Sequence, residues 1–175
     1  MVPAHVRQSQ DLPQGGLGLQ EIIFYFLWEN STDKDVVINV DSWLMLNGYG
    51  QVNIPGNWFD DELASMSISG SLGLLEWWNQ PPTSPPMQPD QFQTPVILTL
   101  QKGLLGSFIT PWGQRVFRTL DLQFNSEVVP PQGSLVIAVG PLIAIQNWGG
   151  GSDEADFDSG DFEVMCPFVR IQILS

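Results

Sequence analysis

From residue 64 to residue 74 the chain alternates with a period of two. Ala64, Met66, Ile68, Leu72 and Leu74 fall on one side, and Ser65, Ser67, Ser69 and Ser71 on the other. Successive side chains of a strand point to opposite sheet faces, so this pattern predicts a half-buried strand. Gly70 and Gly73 within it predict a bulge or the close approach of another backbone. The alternation returns in residues 36–46, where Val36, Ile38, Val40, Leu44 and Leu46 oppose Asn39 and Asp41. It returns again in residues 115–125, where Val116, Leu120, Leu122 and Phe124 oppose Thr119, Asp121 and Gln123. Nowhere do apolar residues recur at helical spacing over the roughly ten positions that a stable amphipathic helix needs.

The remaining segments fill in a β architecture. LQEIIFYFLWE, residues 19–29, is apolar on both faces, as a buried central strand would be. Residues 30–33 carry turn chemistry, and Asn47-Gly48 predicts a tight turn with residues 49–54 returning as a paired strand. Residues 57–63 (NWFDDEL) can hold one helical turn capped by Asn57. The segment 81–95 (PPTSPPMQPDQFQTP) predicts an exposed, extended loop, because proline donates no ladder hydrogen bond. Strands are expected at 96–101, 108–110 and 135–146, the last broken at Gly140-Pro141 and preceded by a turn at 130–133. Residues 149–160 read as a flexible acidic loop, and 162–174 as a closing strand or strand pair broken at Pro167.

About eight strands of irregular length, joined by segments rich in the chain's 17 glycines and 14 prolines, predict an all-β fold. The expected form is an antiparallel β-sandwich or jelly roll, a single β-barrel. An immunoglobulin-like sandwich is the nearest alternative, but its Cys–Trp–Cys framework is missing. Residues 1–18, ending GGLG, are expected to form an N-terminal arm before one barrel domain at 19–175.

The polar inventory then limits chemistry. The chain has one histidine (His5), one cysteine (Cys166) and two lysines (Lys34, Lys102). A serine or cysteine triad needs a tuned base beside the nucleophile, and zinc, copper or iron sites draw on several His or Cys ligands. The sole histidine lies in the expected arm, and Cys166 reads as a small buried hydrophobe. One cysteine permits no internal disulfide, so packing alone must hold the fold. Neither a P-loop nor a dinucleotide fingerprint is present, and GGGS at 149–152 lacks their context. No catalytic, cofactor or metal residue is assigned.

Two carboxylates can hydrolyse a glycoside without histidine, and Glu21, Glu29, Glu76 and Glu163 are the strand acids available. Nothing in the sequence pairs them across a cleft. The run from Asp153 to Asp161 superficially resembles a calcium loop, but the EF-hand pattern fails: glycine falls at the fifth position, where a ligand is expected, and the twelfth position is Pro167. It reads as solvated acid. Six basic residues against 19 acids give a net charge of −13. With no basic cluster, nucleic-acid binding is excluded as a main role. No secretory signal is visible, the longest apolar run is too short to span a bilayer as a helix, and the sequon Asn30-Ser31-Thr32 reads as coincidental.

Seven tryptophans are many for 175 residues. Trp28 and Trp43 are expected in the core or on a sheet face. Trp58, Trp112 and Trp148 adjoin turn signals, where indole faces can bind sugars or pack in a subunit interface. Trp77-Trp78 points to both faces of a sheet, so one ring needs cover beyond the main core.

The chain resembles the smaller major capsid protein of tailless icosahedral bacteriophages of thermophilic bacteria that enclose a membrane. The resemblance lies in length and layout over the whole chain, and in LQEIIFYFLWE, ASMSISGSLGLLEWW, PPTSPPMQP and FVRIQIL. It implies a single β-barrel standing upright on a shell, self-association, a second capsid protein as partner, and residence in the virion near an internal membrane. The scarcity of Lys and richness in Gln and Asn run opposite to the usual hyperthermophile composition. The alternative from a different class is a carbohydrate-binding module or lectin of β-sandwich fold, using exposed tryptophans.

Overall fold

The computed structural model describes residues 3–12, 16–53, 64–77, 91–93, 96–102, 113–147 and 151–174. The described residues form twelve strands: β1 (Val6–Leu12), β2 (Gly16–Glu21), β3 (Phe24–Glu29), β4 (Val36–Asn53), β5 (Ala64–Trp77), β6 (Gln91–Gln93), β7 (Val96–Lys102), β8 (Gly113–Val129), β9 (Ser134–Asn147), β10 (Gly151–Phe157), β11 (Glu163–Met165) and β12 (Val169–Leu174). No helix occurs among the described residues. Every pairing is antiparallel, and the strands divide into two sheets.

In the first sheet β10, β11 and β12 succeed one another along one edge of β4, while β8 pairs along its other edge. β1 lies outside β10. In the second sheet β2 and β3 follow one another along β9, β5 pairs with the opposite edge of β9, and β6 and β7 line the far edge of β5. Collinear strands share a position, so each sheet is four positions wide. Numbered along the chain, the positions run 1-8-3-6 in the first sheet and 2-7-4-5 in the second.

The alternating segments form the layer between the sheets. Ile38, Val40, Leu44 and Leu46 of β4 meet Ala64, Met66, Ile68, Leu72 and Leu74 of β5, all of them essentially inaccessible. Val116, Leu122 and Phe124 of β8 and Leu135, Ile137, Val139, Ile143 and Ile145 of β9 complete it. A fully buried side chain of this size stabilises by about 1.5–3 kcal/mol, which is why the period-two pattern fixes the register so strongly. Gly70 is a close approach, but of side chains and not of the backbone expected there. A Cβ there would overlap the Leu120 side chain and lie 3.2 Å from Leu44 Cδ2, both in the facing sheet. A register shift against β7 falls between Ile68 and Ser69, where the pairing passes from Leu98 to Val96, so the extra residue is on β7 and not at either glycine. The strands expected at 96–101 and 115–125 are present as β7 and β8, and the break at Pro167 separates β11 from β12.

Several expectations are corrected. Residues 19–29 do not form a buried central strand; they split into β2 and β3, which among the described strands pair with β9 alone. Their two-sided apolarity has another origin, since the outward side chains stay exposed. Asn47-Gly48 is no turn, because β4 runs unbroken through it. Gly48 is there for space, its missing Cβ making room for the Phe157 ring and the Asp156 carbonyl.

Nor is β9 broken at Gly140-Pro141. The break falls in the neighbouring position instead, between β2 and β3. The N–H and C=O of a strand residue point to the same side, and the Pro141 carbonyl accepts from the Ile22 N–H at 3.2 Å. The N–H that proline lacks is thus on the side where β2 ends, so no ladder bond is lost. Residues 151–157 of the expected acidic loop form β10, between β1 and β4. Gln91–Gln93 of the expected proline-rich loop pair with Leu72–Leu74. Of the expected arm, Val6–Leu12 is paired with β10 and Gly16–Gly18 with β9; these Gln-, Ser- and Gly-rich stretches carry no periodic apolar signal and are held by backbone ladders. The expected helical turn at 57–63, the strand at 108–110, and most of 81–95 lie outside the described residues.

One end of the sandwich is closed by Asn30, which is 1% exposed. Its Nδ2 donates to the carbonyls of Lys34 (2.7 Å), Val129 (3.0 Å) and Pro130 (3.0 Å). Its Oδ1 accepts from the Thr32 N–H (3.1 Å) and Thr32 Oγ1 (2.7 Å). The sequon is therefore a structural clasp, joining the turn after β3 to the turn between β8 and β9.

Candidate functional site

The two sheets turn very different outer faces to solvent. On the second sheet, Leu17 and Leu19 of β2 and Tyr25 and Leu27 of β3 are 70%, 66%, 57% and 52% exposed. They alternate with the inward residues Phe24, Phe26 and Trp28, which pack against the core. Across the sheet the stripe continues into half-buried Ala144 and Leu142 of β9 and Ser65 and Ser67 of β5. Its only charged described side chains are Glu21 and Glu29.

The first sheet shows a mixed aromatic and polar face. Trp43 of β4 is 45% exposed, and Phe117 of β8 is 68% exposed. Trp43 lies opposite Asp121, Met45 opposite Thr119, Asn47 opposite Phe117, and Tyr49 opposite Arg115. The indole leans on Phe168, ring centroids 4.8 Å apart at 56°, so its orientation is set. Gln123 Nε2 donates to Asp121 Oδ2 at 3.3 Å. The Arg115 guanidinium donates to Asn47 Oδ1 at 3.2 Å, sits 5.4 Å from the centre of the Phe162 ring and 3.9 Å from Asp161. Arg170 donates through both Nε (2.9 Å) and Nη2 (2.8 Å) to Asp41 Oδ2.

The acidic segment is folded into the first sheet. Asp153 and Asp156 are buried, and Glu154 pairs with Arg7 of β1. Asp156 Oδ1 accepts from the N–H groups of Asp158 and Ser159, both at 2.9 Å, which turns the chain after β10. Burial alone would raise this carboxyl. The Ser159 side chain, these two N–H groups and the Arg7 charge outweigh it and hold Asp156 below the usual carboxylate range. A depressed carboxylate contributes stability above its unfolded value, near pH 4, and that contribution is lost as pH falls through the lower folded value. Asp156→Asn is therefore expected to destabilise at neutral pH, with the gap to wild type closing below about pH 4 in denaturant melts. No group of three or more His, Cys, Asp or Glu side chains suited to a metal ion occurs among the described residues.

The strand acids are not brought together. Glu21 and Glu29 are on the outer face of the second sheet, and Glu163 is half-buried on β11 of the first. The Glu76 side chain lies outside the described residues. His5 is exposed and its Nδ1 lies 3.0 Å from the Phe162 carbonyl. Cys166 is buried, with Ser42 Oγ at 3.3 Å and the Phe168 carbonyl at 3.7 Å. Burial pushes its thiol up, against the smaller opposing effect of these two partners. A thiol reagent at neutral pH is expected to label Cys166 only at the rate of unfolding; rapid labelling of native protein would contradict this.

Of the tryptophans, Trp28 packs on the core and Trp43 is a sheet-face residue, as expected. Trp58, Trp78, Trp112 and Trp148 lie outside the described residues, as does the Trp77 side chain. Sequence reasoning missed Phe117 as a surface aromatic; the available signal was its position among Arg115, Thr119 and Asp121 on the polar side of its own strand.

No protein-family model matches the chain, and no curated protein is significantly similar to it. The fold class is all-β, with two antiparallel sheets enclosing one core.

Proposed function

We propose that this chain is a structural subunit of a virion. It is a jelly-roll, single β-barrel major capsid protein that self-associates and co-assembles with a second capsid protein into an icosahedral shell. The observation that carries this reading is the apolar stripe of Leu17, Leu19, Tyr25 and Leu27. At roughly 200 Å2 for each such residue when fully exposed, its exposed fractions amount to roughly 500 Å2. That is more than half of the roughly 800 Å2 that one partner contributes to a standard interface. A patch of this size is about as large as the largest on a typical monomer, and such patches are often sites of interaction.

Charge supports the same reading. A chain of net charge −13 repels its own copies wherever acid meets acid. The stripe, with Glu21 and Glu29 as its only described charges, is where such copies can meet. The position order 1-8-3-6 against 2-7-4-5 supports the jelly roll, since two Greek keys folded over one core arrange eight strands in this way. An acidic subunit without a basic cluster suits a shell that lies over an internal membrane better than one packed on the genome.

The test is light scattering on size-exclusion fractions, with electron microscopy of the concentrated protein. Wild type is expected as multimers or shell fragments. The double variant Leu19→Asp with Leu27→Asp is expected as folded monomers, because the two side chains are 66% and 52% exposed and lie outside the main core. A wild type that stays strictly monomeric at high concentration overturns the proposal.

A further inference from the structure

The geometry points to the outer face of the first sheet, between Trp43 and Phe117, as a binding strip for a neutral oligosaccharide. The inference is independent of assembly, since the apolar stripe belongs to the other sheet. The two exposed rings stand on adjacent strands, and the row of Phe117 lies four residues from the row of Trp43. At about 3.3 Å per residue the rows are roughly 13 Å apart, within reach of a short linear oligosaccharide.

Each ring has hydrogen-bonding groups at its side. Asp121 faces Trp43 directly across the strand pair, with Gln123 bonded to it. Arg115 flanks Phe117 one row further on, held by Asn47 and Asp161. Between the rings the floor is half-buried Met45 and exposed Thr119. A pyranose presents an apolar C–H face and an equatorial rim of hydroxyls. An aromatic ring with a carboxylate or guanidinium beside it satisfies both, and here that combination occurs twice in line.

The chemistry of the strip selects against other occupants. The Arg115 and Arg170 guanidinium groups are engaged by Asp161 and Asp41. With Asp121 and Glu163 added, acids exceed bases on this face, so nucleic acids and anionic glycans are repelled. A protein surface laid over the rings would have to desolvate Asp121, Gln123, Thr119 and Arg115, at a cost only matching polar groups could offset. Sugar hydroxyls replace the water on those groups in kind. The support of Trp43 by Phe168 removes one side chain's ordering cost on binding.

The experiment titrates the full-length protein with cellotetraose, maltotetraose, chitotetraose and mannotetraose, by isothermal calorimetry and by shifts of the tryptophan indole N–H resonances. At least one is expected to bind, with Trp43→Ala weakening it at least tenfold and Phe117→Ala severalfold. Tyr25→Ala, on the other sheet, is expected to leave affinity unchanged. Because Phe117 is largely in solvent, its variant keeps the test open if Trp43→Ala proves unstable by melting. No binding of any of the four at millimolar concentration overturns the inference. So does binding that survives both Trp43→Ala and Phe117→Ala, or that Tyr25→Ala abolishes.

Discussion

Asn30→Asp is expected to cost about 3 kcal/mol or more at neutral pH and to lower the melting temperature by roughly 10 °C. The amide of Asn30 donates to three carbonyl oxygens from a position 1% exposed. A carboxylate there has no proton to give them and sets a negative charge against three acceptors. Its folded pKa would be raised by both burial and the carbonyl dipoles. For an acid raised on folding, the penalty is present above the unfolded value and disappears as the group stays protonated below it. The deficit should therefore shrink towards pH 4, where a protonated carboxyl can donate one hydrogen bond. Denaturant melts of both proteins across this range are the measurement. Asn30→Ala, which leaves three carbonyls and the Thr32 donors unserved but adds no charge, should cost about 2–3 kcal/mol without that pH dependence. Equal losses for the two variants at every pH would refute this account of the clasp.

Gly140→Ala is the second large effect, with an expected loss of about 2–4 kcal/mol. A Cβ on residue 140 would overlap the carbonyl oxygen of Ile22 and come within 2.8 Å of its carbon. These are backbone atoms, so no rotamer change relieves the contact. The second sheet would have to part where β2 gives way to β3. Gly160 is the informative control, because nothing lies within 4 Å of its added Cβ but its φ is +66°. Gly160→Ala is expected to cost only about 1 kcal/mol, from the left-handed backbone conformation itself. Hydrogen exchange should show the difference in kind. Gly140→Ala should loosen the amides of β2, β3 and β9, and Gly160→Ala only those of its own turn.

How far the sequence could be read follows from what kind of signal each element carries. The inward residues of β4, β5 and β8 were legible because one buried face imposes a period of two, and a slip of one residue would bury serines and expose leucines. Glycine and proline were legible as punctuation, but their targets were not. Gly48 makes room for Phe157 from another strand, and Gly140-Pro141 interrupts the neighbour of its own strand. Both effects act across the ladder, where local sequence has no reach. The acids of β10 failed as a strand signal for a related reason. Their place in the sheet depends on β1, where Arg7 lies opposite Asp156 and pairs with Glu154, whereas the two N–H groups on Asp156 come from its own turn. The surface aromatics divided in the same way: Trp43 belonged to a strand by pattern, but only the pairing of β4 with β8 put Phe117 on its side.

By itself the chain's order of residues determined an all-β fold, the inward faces of its long strands, and a side-chain inventory with one His, one Cys and two Lys. These follow from local alternation and from counting, which need no partner. Tertiary structure decided which strands meet, which glycines are spacers, and which apolar residues remain in water. Those outcomes depend on contacts between residues far apart in sequence, and hydrogen-bonded ladders between backbones form with little regard to side-chain identity.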